Sequence, residues 1–231
     1  MTALQSLGIV ACLGGIGAVF AVATRRGNVP AVINATVSFL LVLVPILVDL
    51  IVTRAYGVSP GLTPELPLWI AVAGVLHSYG MLGVYDDVWW WDHLTHTLSA
   101  ALIAALLYAA VLAAVEHVSI SPDGGLIWTV VVSVTLLAGV FWELVELLAL
   151  DVERQFDVPG VLEHYGRRDT VMDLGFDIVG ALLVLIVDVR VFLPMATVSP
   201  TATVTALAWA LGLLTVGSLV LSLVVVVGYA E

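Results

Sequence analysis

The chain has 231 residues, of which 61% are hydrophobic types and 11% charged. Soluble domains carry about 25% charged residues, so an ordinary globular domain is excluded. The seven basic residues are all Arg, with no Lys, against eighteen Asp and Glu. That balance excludes a basic nucleic-acid surface and suits a high-salt cytoplasm such as that of a halophilic archaeon.

Apolar runs of roughly eighteen residues or more recur along the chain, each long enough to cross a hydrocarbon core of ~30 Å as a helix. The predicted fold class is therefore all-α: a polytopic transmembrane bundle of about seven helices, one domain over 1–231, with a motif-bearing core at about 67–193. Helix one is expected at about 4–23. Arg25 and Arg26 follow its apolar run instead of preceding it, opposite to a cleavable signal peptide, so the helix is expected to be retained with its N-terminus outside. Cys12 lies within this run; a single cysteine excludes disulfides and thiolate clusters, and it reads as packing. Gly27 and Pro30 precede helix two, at about 31–53, and Ser59-Pro60-Gly61 precedes helix three, at about 67–85. Trp89, Trp90 and Trp91 fill the connection before helix four, about 92–115, where successive indoles suit a headgroup-level belt.

Ser121-Pro122-Asp123-Gly124-Gly125 reads as a tight polar turn before helix five, at about 125–150. The stretch 151–170 is the one long connection. It mixes Phe156, Val158, Val161, Leu162 and Tyr165 with charges of both signs, as does a segment that lies along the interface or over a cavity mouth; an ordinary solvated loop is the plainer alternative. Helix six follows at about 171–193 and helix seven at about 202–229. Gly212 and Gly217 in helix seven permit close approach of a second copy, and thus a homo-oligomer. With alternating spans, Arg25, Arg26, Arg154, Arg167 and Arg168 share one side, and Arg54 and Arg190 the other. The positive-inside rule makes the first side cytoplasmic.

The ionisable residues inside the spans fall in a pattern. Asp92, His93 and His96 open helix four, Glu143 and Glu146 sit in the second half of helix five, and Asp173 and Asp177 in the first turns of helix six. Helix four starts, helix five ends and helix six starts on one membrane face. At 1.5 Å per residue, Glu143 and Asp177 each lie ~10 Å inside the boundary. Asp92/His96 and Asp173/Asp177 are spaced i,i+4, and Glu143/Glu146 i,i+3, so each helix presents two groups in one direction. A carboxylate in hydrocarbon costs several kcal/mol even on mild scales, so these groups must face one another or a wet cavity. Their mutual repulsion then needs a bound divalent cation, protons, or Arg167 and Arg168 folded inward. The remaining polar residues have plainer accounts. His77 reads as a structural hydrogen-bonding group, His117 and His164 as solvated loop residues, and Asp49 and Asp188 as partners of Arg54 and Arg190.

Three motifs in order carry a resemblance: Asp92-His93-Leu94-Thr95-His96, Phe141-Trp142-Glu143-Leu144-Val145-Glu146, and Asp169-Thr170-Val171-Met172-Asp173 followed by Gly180. Over about 85–185 the chain resembles the YjdF-type family of uncharacterised inner-membrane proteins and, more remotely, is similar to VanZ-like proteins. It departs from the family pattern at His93, where a basic residue is usual, at Val171, where Gln is common, and at Asp177, where Ala or Asn is usual. The resemblance implies a shared site and brings no established reaction.

The leading function this pattern suits is a membrane-embedded metal site with ligands from Asp92, His96, Glu143, Glu146, Asp173 and Asp177. Mixed carboxylate and imidazole donors suit Mg²⁺, Mn²⁺, Fe²⁺ or Zn²⁺. Glu143, Asp173 and Arg168 are the candidate catalytic residues for water attack on a lipid-linked phosphate or ester, with Arg167 and Arg168 holding its anion. No Gly-x-Ser-x-Gly motif is present for serine chemistry. Two alternatives belong to other classes. One is a proton- or ion-coupled transporter, in which the same acids relay a cation; the other is a structural polar network that fixes helix register. The lipid bilayer is the one certain partner class.

Overall fold

The structure, a computed structural model, describes residues 2–57, 59–120 and 123–228; Ser121 and Pro122 of the expected polar turn lie outside the described residues. Among the described residues every regular element is helical. Seven helices are long and apolar enough to cross a membrane, so the chain is a multi-pass membrane bundle. It forms two compact units, Met1–Thr95 and His96–Glu231, with the division in the first turns of one helix.

The N-terminal unit contains α1 (Ala3–Arg26), α2 (Val29–Tyr56), α3 (Glu65–Tyr79), a π-helical turn (Gly80–Val84) and α4 (Tyr85–Asp87). α1, α2 and α3 pack against one another around Ile9, Ile16, Val19, Ala35, Val42 and Ala71. The π turn is possible because of two glycines. Gly83 takes φ 107°, outside the range of most L residues, and a β-carbon on Gly80 would overlap the Tyr85 ring. The polar groups of this unit bond one another. His77 meets Asn34 Oδ1 at 3.0 Å through Nε2 and Tyr85 Oη at 2.7 Å through Nδ1, and Ser78 donates to Ser38. His77 is thus placed as a structural group. Asp49 accepts a hydrogen bond from Ser59 and not from Arg54, contrary to the expected pairing. Trp91 is also more than a belt residue: it begins α5 and donates from Nε1 to the Leu76 carbonyl, whereas Trp89 is 79% exposed.

The C-terminal unit contains α5 (Trp91–His117) from His96 onward, α6 (Gly124–Phe156), α7 (Arg167–Val187), α8 (Leu193–Val198) and α9 (Pro200–Gly228). Alanines at 100, 101, 104, 105, 109 and 113 give α5 a buried small-residue face, and α7 approaches it where Gly180 lies against the Thr97 carbonyl and the Ala101 amide. α6 packs against both α7 and α9. Gly217 of α9 faces Phe141 of α6, so this close approach is used within the chain, while Gly212 meets open space.

Three boundaries differ from the sequence expectation. α6 runs to Phe156, beyond the expected end near 150, for a length of about 50 Å at 1.5 Å per residue. Apolar character ends before the helix does, because Asp151–Phe156 keeps backbone hydrogen bonds without needing lipid-facing side chains. α7 starts at Arg167, so the expected long connection shrinks to 157–166. α7 then stops at Val187, not near 193, because Asp188 adopts the left-handed conformation (φ 58°) and Val189 N–H returns to the Val184 carbonyl.

Asp188 is held by Arg190 Nε at 2.8 Å and by the Tyr108 hydroxyl at 2.7 Å, the expected pairing with Arg190 plus a hydroxyl. These bonds hold its carboxyl below the ordinary carboxylate range, Arg190 contributing most. A depressed folded-state pKa contributes stability that is present above the unfolded value and lost as pH falls through the folded one. Asn also tolerates the left-handed conformation, so Asp188→Asn removes the charge alone. Melts in detergent should therefore show the variant below wild type at neutral pH, with the gap closing only below about pH 3.9. A gap that closes between pH 6 and 5 would assign it to another group.

The Gly180 contact gives a paired test. Gly180→Ala drives a β-carbon into backbone and should cost about 1–3 kcal/mol. Gly175→Ala enters open space on the same helix and should be neutral or gain up to ~1 kcal/mol. Equal effects of the two in denaturant titrations would refute the tight α5–α7 crossing.

Candidate functional site

Within the C-terminal unit, three helices deliver side chains to one end. His96 lies in the second turn of α5, Glu143 and Glu146 in the latter part of α6, and Asp173 and Asp177 in the second and third turns of α7. All five are buried. Ligand atoms of His96, Glu143 and Asp173 lie within 4.8 Å of one another, and so do those of Glu143, Glu146 and His164. Glu143 belongs to both groups.

Asp177 takes a different position from the other acids. Its Oδ1 is 3.2 Å from His96 Nδ1, the relation that fixes the ring orientation of a metal-ligating histidine through a carboxylate. Its Oδ2 lies over Gly139 of α6, where a β-carbon would overlap it. Gly139 therefore makes the space in which Asp177 can reach His96.

His164 was expected as a solvated loop residue and is instead part-buried, its side chain 7% exposed with Nδ1 at 3.9 Å from Glu146 Oε2. The connection brings it there by doubling back on α6. Asp157 closes the helix in the left-handed conformation, Val158 N–H returns to the Glu153 carbonyl, and Gly160 lies against the Glu153 carboxylate. The Tyr165 amide is then received by Asp169 at 3.0 Å at the start of α7. Apart from its chemistry as a histidine, nothing in the sequence marked this residue, since a folded-back segment has no periodicity.

Asp92 lies one turn before His96 but in the N-terminal unit, half-buried, its carbonyl accepting from Thr95. Arg167 and Arg168 are exposed, as is every arginine of the chain, so the acids are not neutralised by arginines folding inward. His117 is exposed at the far end of α5.

The buried acids carry an electrostatic cost. Glu143 is 4% exposed, and neither of its carboxylate oxygens has a hydrogen-bond partner among the described residues; Thr170 stands beside it without completing a full bond. Asp177 Oδ2 and His164 Nδ1 are likewise buried without a hydrogen bond. A buried ion left unpaired costs several kcal/mol, so these carboxyls require either a proton or a compensating positive charge.

Residues 7–194 match a family described as "Predicted membrane protein (DUF2238)". The chain belongs to that family. The matched region covers α1 through the start of α8 and includes every residue of the site. No curated protein and no solved structure is significantly similar to the chain.

An acid that serves only to hold helices together would have partners, and its removal would cost about 3–5 kcal/mol. Glu143→Gln is instead expected to leave the metal-free protein equally stable or more stable, measured as melting temperature in detergent with chelator present. A large drop would identify Glu143 as part of a structural network.

Proposed function

We propose that this member of the family is a membrane protein that binds a divalent cation between α5, α6 and α7 and uses it on a lipid-linked phosphate or ester. The observation that carries this reading is the buried Glu143 carboxylate, which completes no full hydrogen bond among the described residues and is shared by two groups of ligand-type side chains. Imidazole beside carboxylate favours Mn²⁺, Fe²⁺ or Zn²⁺ over Mg²⁺, which prefers oxygen donors alone. His96, Glu143 and Asp173 hold the ion, and Asp177 orients His96. A bound ion of this kind supplies Lewis acidity and a water of lowered pKa. Asp173 would be the carboxylate available as a proton acceptor beside such an ion, with Glu143 as a ligand. Arg167 and Arg168, exposed at the start of α7, are available to an anionic headgroup.

Arg154, Arg167 and Arg168 lie at the site's end of the C-terminal unit and Arg190 at the other. The positive-inside rule then puts the site near the cytoplasmic face of the cell membrane, with the N-terminus outside and the C-terminus inside. The YjdF-type resemblance, and the remoter one to VanZ-like proteins, rest on the same three motifs and concern the same residues.

Elemental mass spectrometry of the detergent-purified chain, beside a Glu143→Gln/Asp173→Asn variant, tests the reading. Near-stoichiometric metal is expected in the wild type and none in the variant. Free Mn²⁺ or Zn²⁺ at 100 times the dissociation constant should stabilise the wild type by about 2.7 kcal/mol. The absence of both metal and stabilisation would leave a proton relay or a structural network in its place.

A further inference from the structure

The charge of the site calls for more than one ion. Four carboxylates, Glu143, Glu146, Asp173 and Asp177, are buried within one unit, and no arginine is buried with them. With the four carboxyls ionised and the imidazoles neutral, a single dication leaves two negative charges in a low-dielectric bundle, and a second brings the sum to zero. Each residual charge there costs several kcal/mol, so with the carboxyls ionised the cluster carries charge for two ions.

Two groups of ligand-type side chains lie wholly within the C-terminal unit. One group is His96, Glu143 and Asp173, and the other is Glu143, Glu146 and His164. Each has one imidazole and two carboxylates, and the shared member is the glutamate whose two oxygens both lack a hydrogen bond. A carboxylate with one oxygen for each ion is the usual bridge in two-metal sites, where the ions stand about 3.5–4 Å apart. In the second group Glu143 and Glu146 are buried and His164 is part-buried. His164 Nδ1 and Glu146 Oε2 are 3.9 Å apart, too far for a hydrogen bond of about 2.7–3.2 Å. They are close enough to share an ion, since two bonds of about 2.0–2.2 Å reach across that gap.

We propose that the protein carries a dinuclear divalent-metal centre, with His96 and Asp173 on one ion, Glu146 and His164 on the other, and Glu143 bridging them. This rests on the metal-binding reading above and adds the second ion, the bridge and the role of His164. A paired site of this kind suits displacement at a phosphate ester, because the two ions can stabilise the attacking and leaving oxygens together.

The full chain in detergent or nanodiscs, stripped with chelator and reloaded with Mn²⁺, provides the test through two readouts: metal per chain by elemental mass spectrometry and the electron paramagnetic resonance spectrum. Wild type should bind two Mn²⁺ with a spin-coupled spectrum. His164→Ala alters a connecting segment and no transmembrane helix; it should bind one, with the spectrum of an isolated ion. His96→Ala should also fall from two to one, and His164→Asn provides a milder check on folding. One Mn²⁺ in wild type, unchanged in His164→Ala, would overturn the dinuclear proposal and leave the single-ion reading standing. Two ions without spin coupling would overturn the Glu143 bridge. No bound Mn²⁺ in any form would overturn both readings.

Discussion

Four carboxylates buried between apolar helices, with no arginine buried among them, set the terms for the C-terminal half of this protein. Hydrocarbon offers no solvation, so the cost of each charge must be met by what the helices hold between them. The acids therefore sit on facing surfaces of three helices, and those helices have to come close. Small residues allow it: Gly139 leaves room for Asp177, and Gly180 brings α7 against the backbone of α5. Association of helices in lipid depends on such packing because lipid tails remove the hydrophobic drive between them. The site and the bundle therefore depend on the same packing, and a glycine that shapes it also sets the distance between the polar side chains.

Much of this was legible in the sequence because hydropathy and helical periodicity have simple physical origins. Seven spans follow from apolar run length, and the shared end of the acids follows from where helices start and stop. His77 was readable as structural because one imidazole in an apolar span has few other uses, and Asp188 because Arg190 is two residues away. The helix ends were less legible. Asp151–Phe156 is too polar to score as a span, yet it remains helical because backbone hydrogen bonding outlasts lipid contact. Asp188 ends α7 through a backbone conformation that composition does not show.

Two parts of the site were beyond sequence reasoning for a specific reason. His164 reaches Glu146 only because a ten-residue connection folds back along α6, and that path is set by the turn at Asp157 and the contact at Gly160. Asp177 looked equivalent to Asp173, one turn earlier on the same face. Its different role, against His96 and not among the grouped ligands, depends on the space left by Gly139 on another helix. Both are long-range contacts, and spacing along one helix cannot reveal them.

The folded-back connection also bears on timescale. Transmembrane helices part slowly, since separating them exposes polar groups to lipid, whereas a short segment outside the spans can rearrange in nanoseconds to microseconds. A donor atom carried on that segment divides the cluster into a slow part and a fast part. His96, Glu143, Glu146 and Asp173 keep the lifetime of the bundle, and His164 that of the segment.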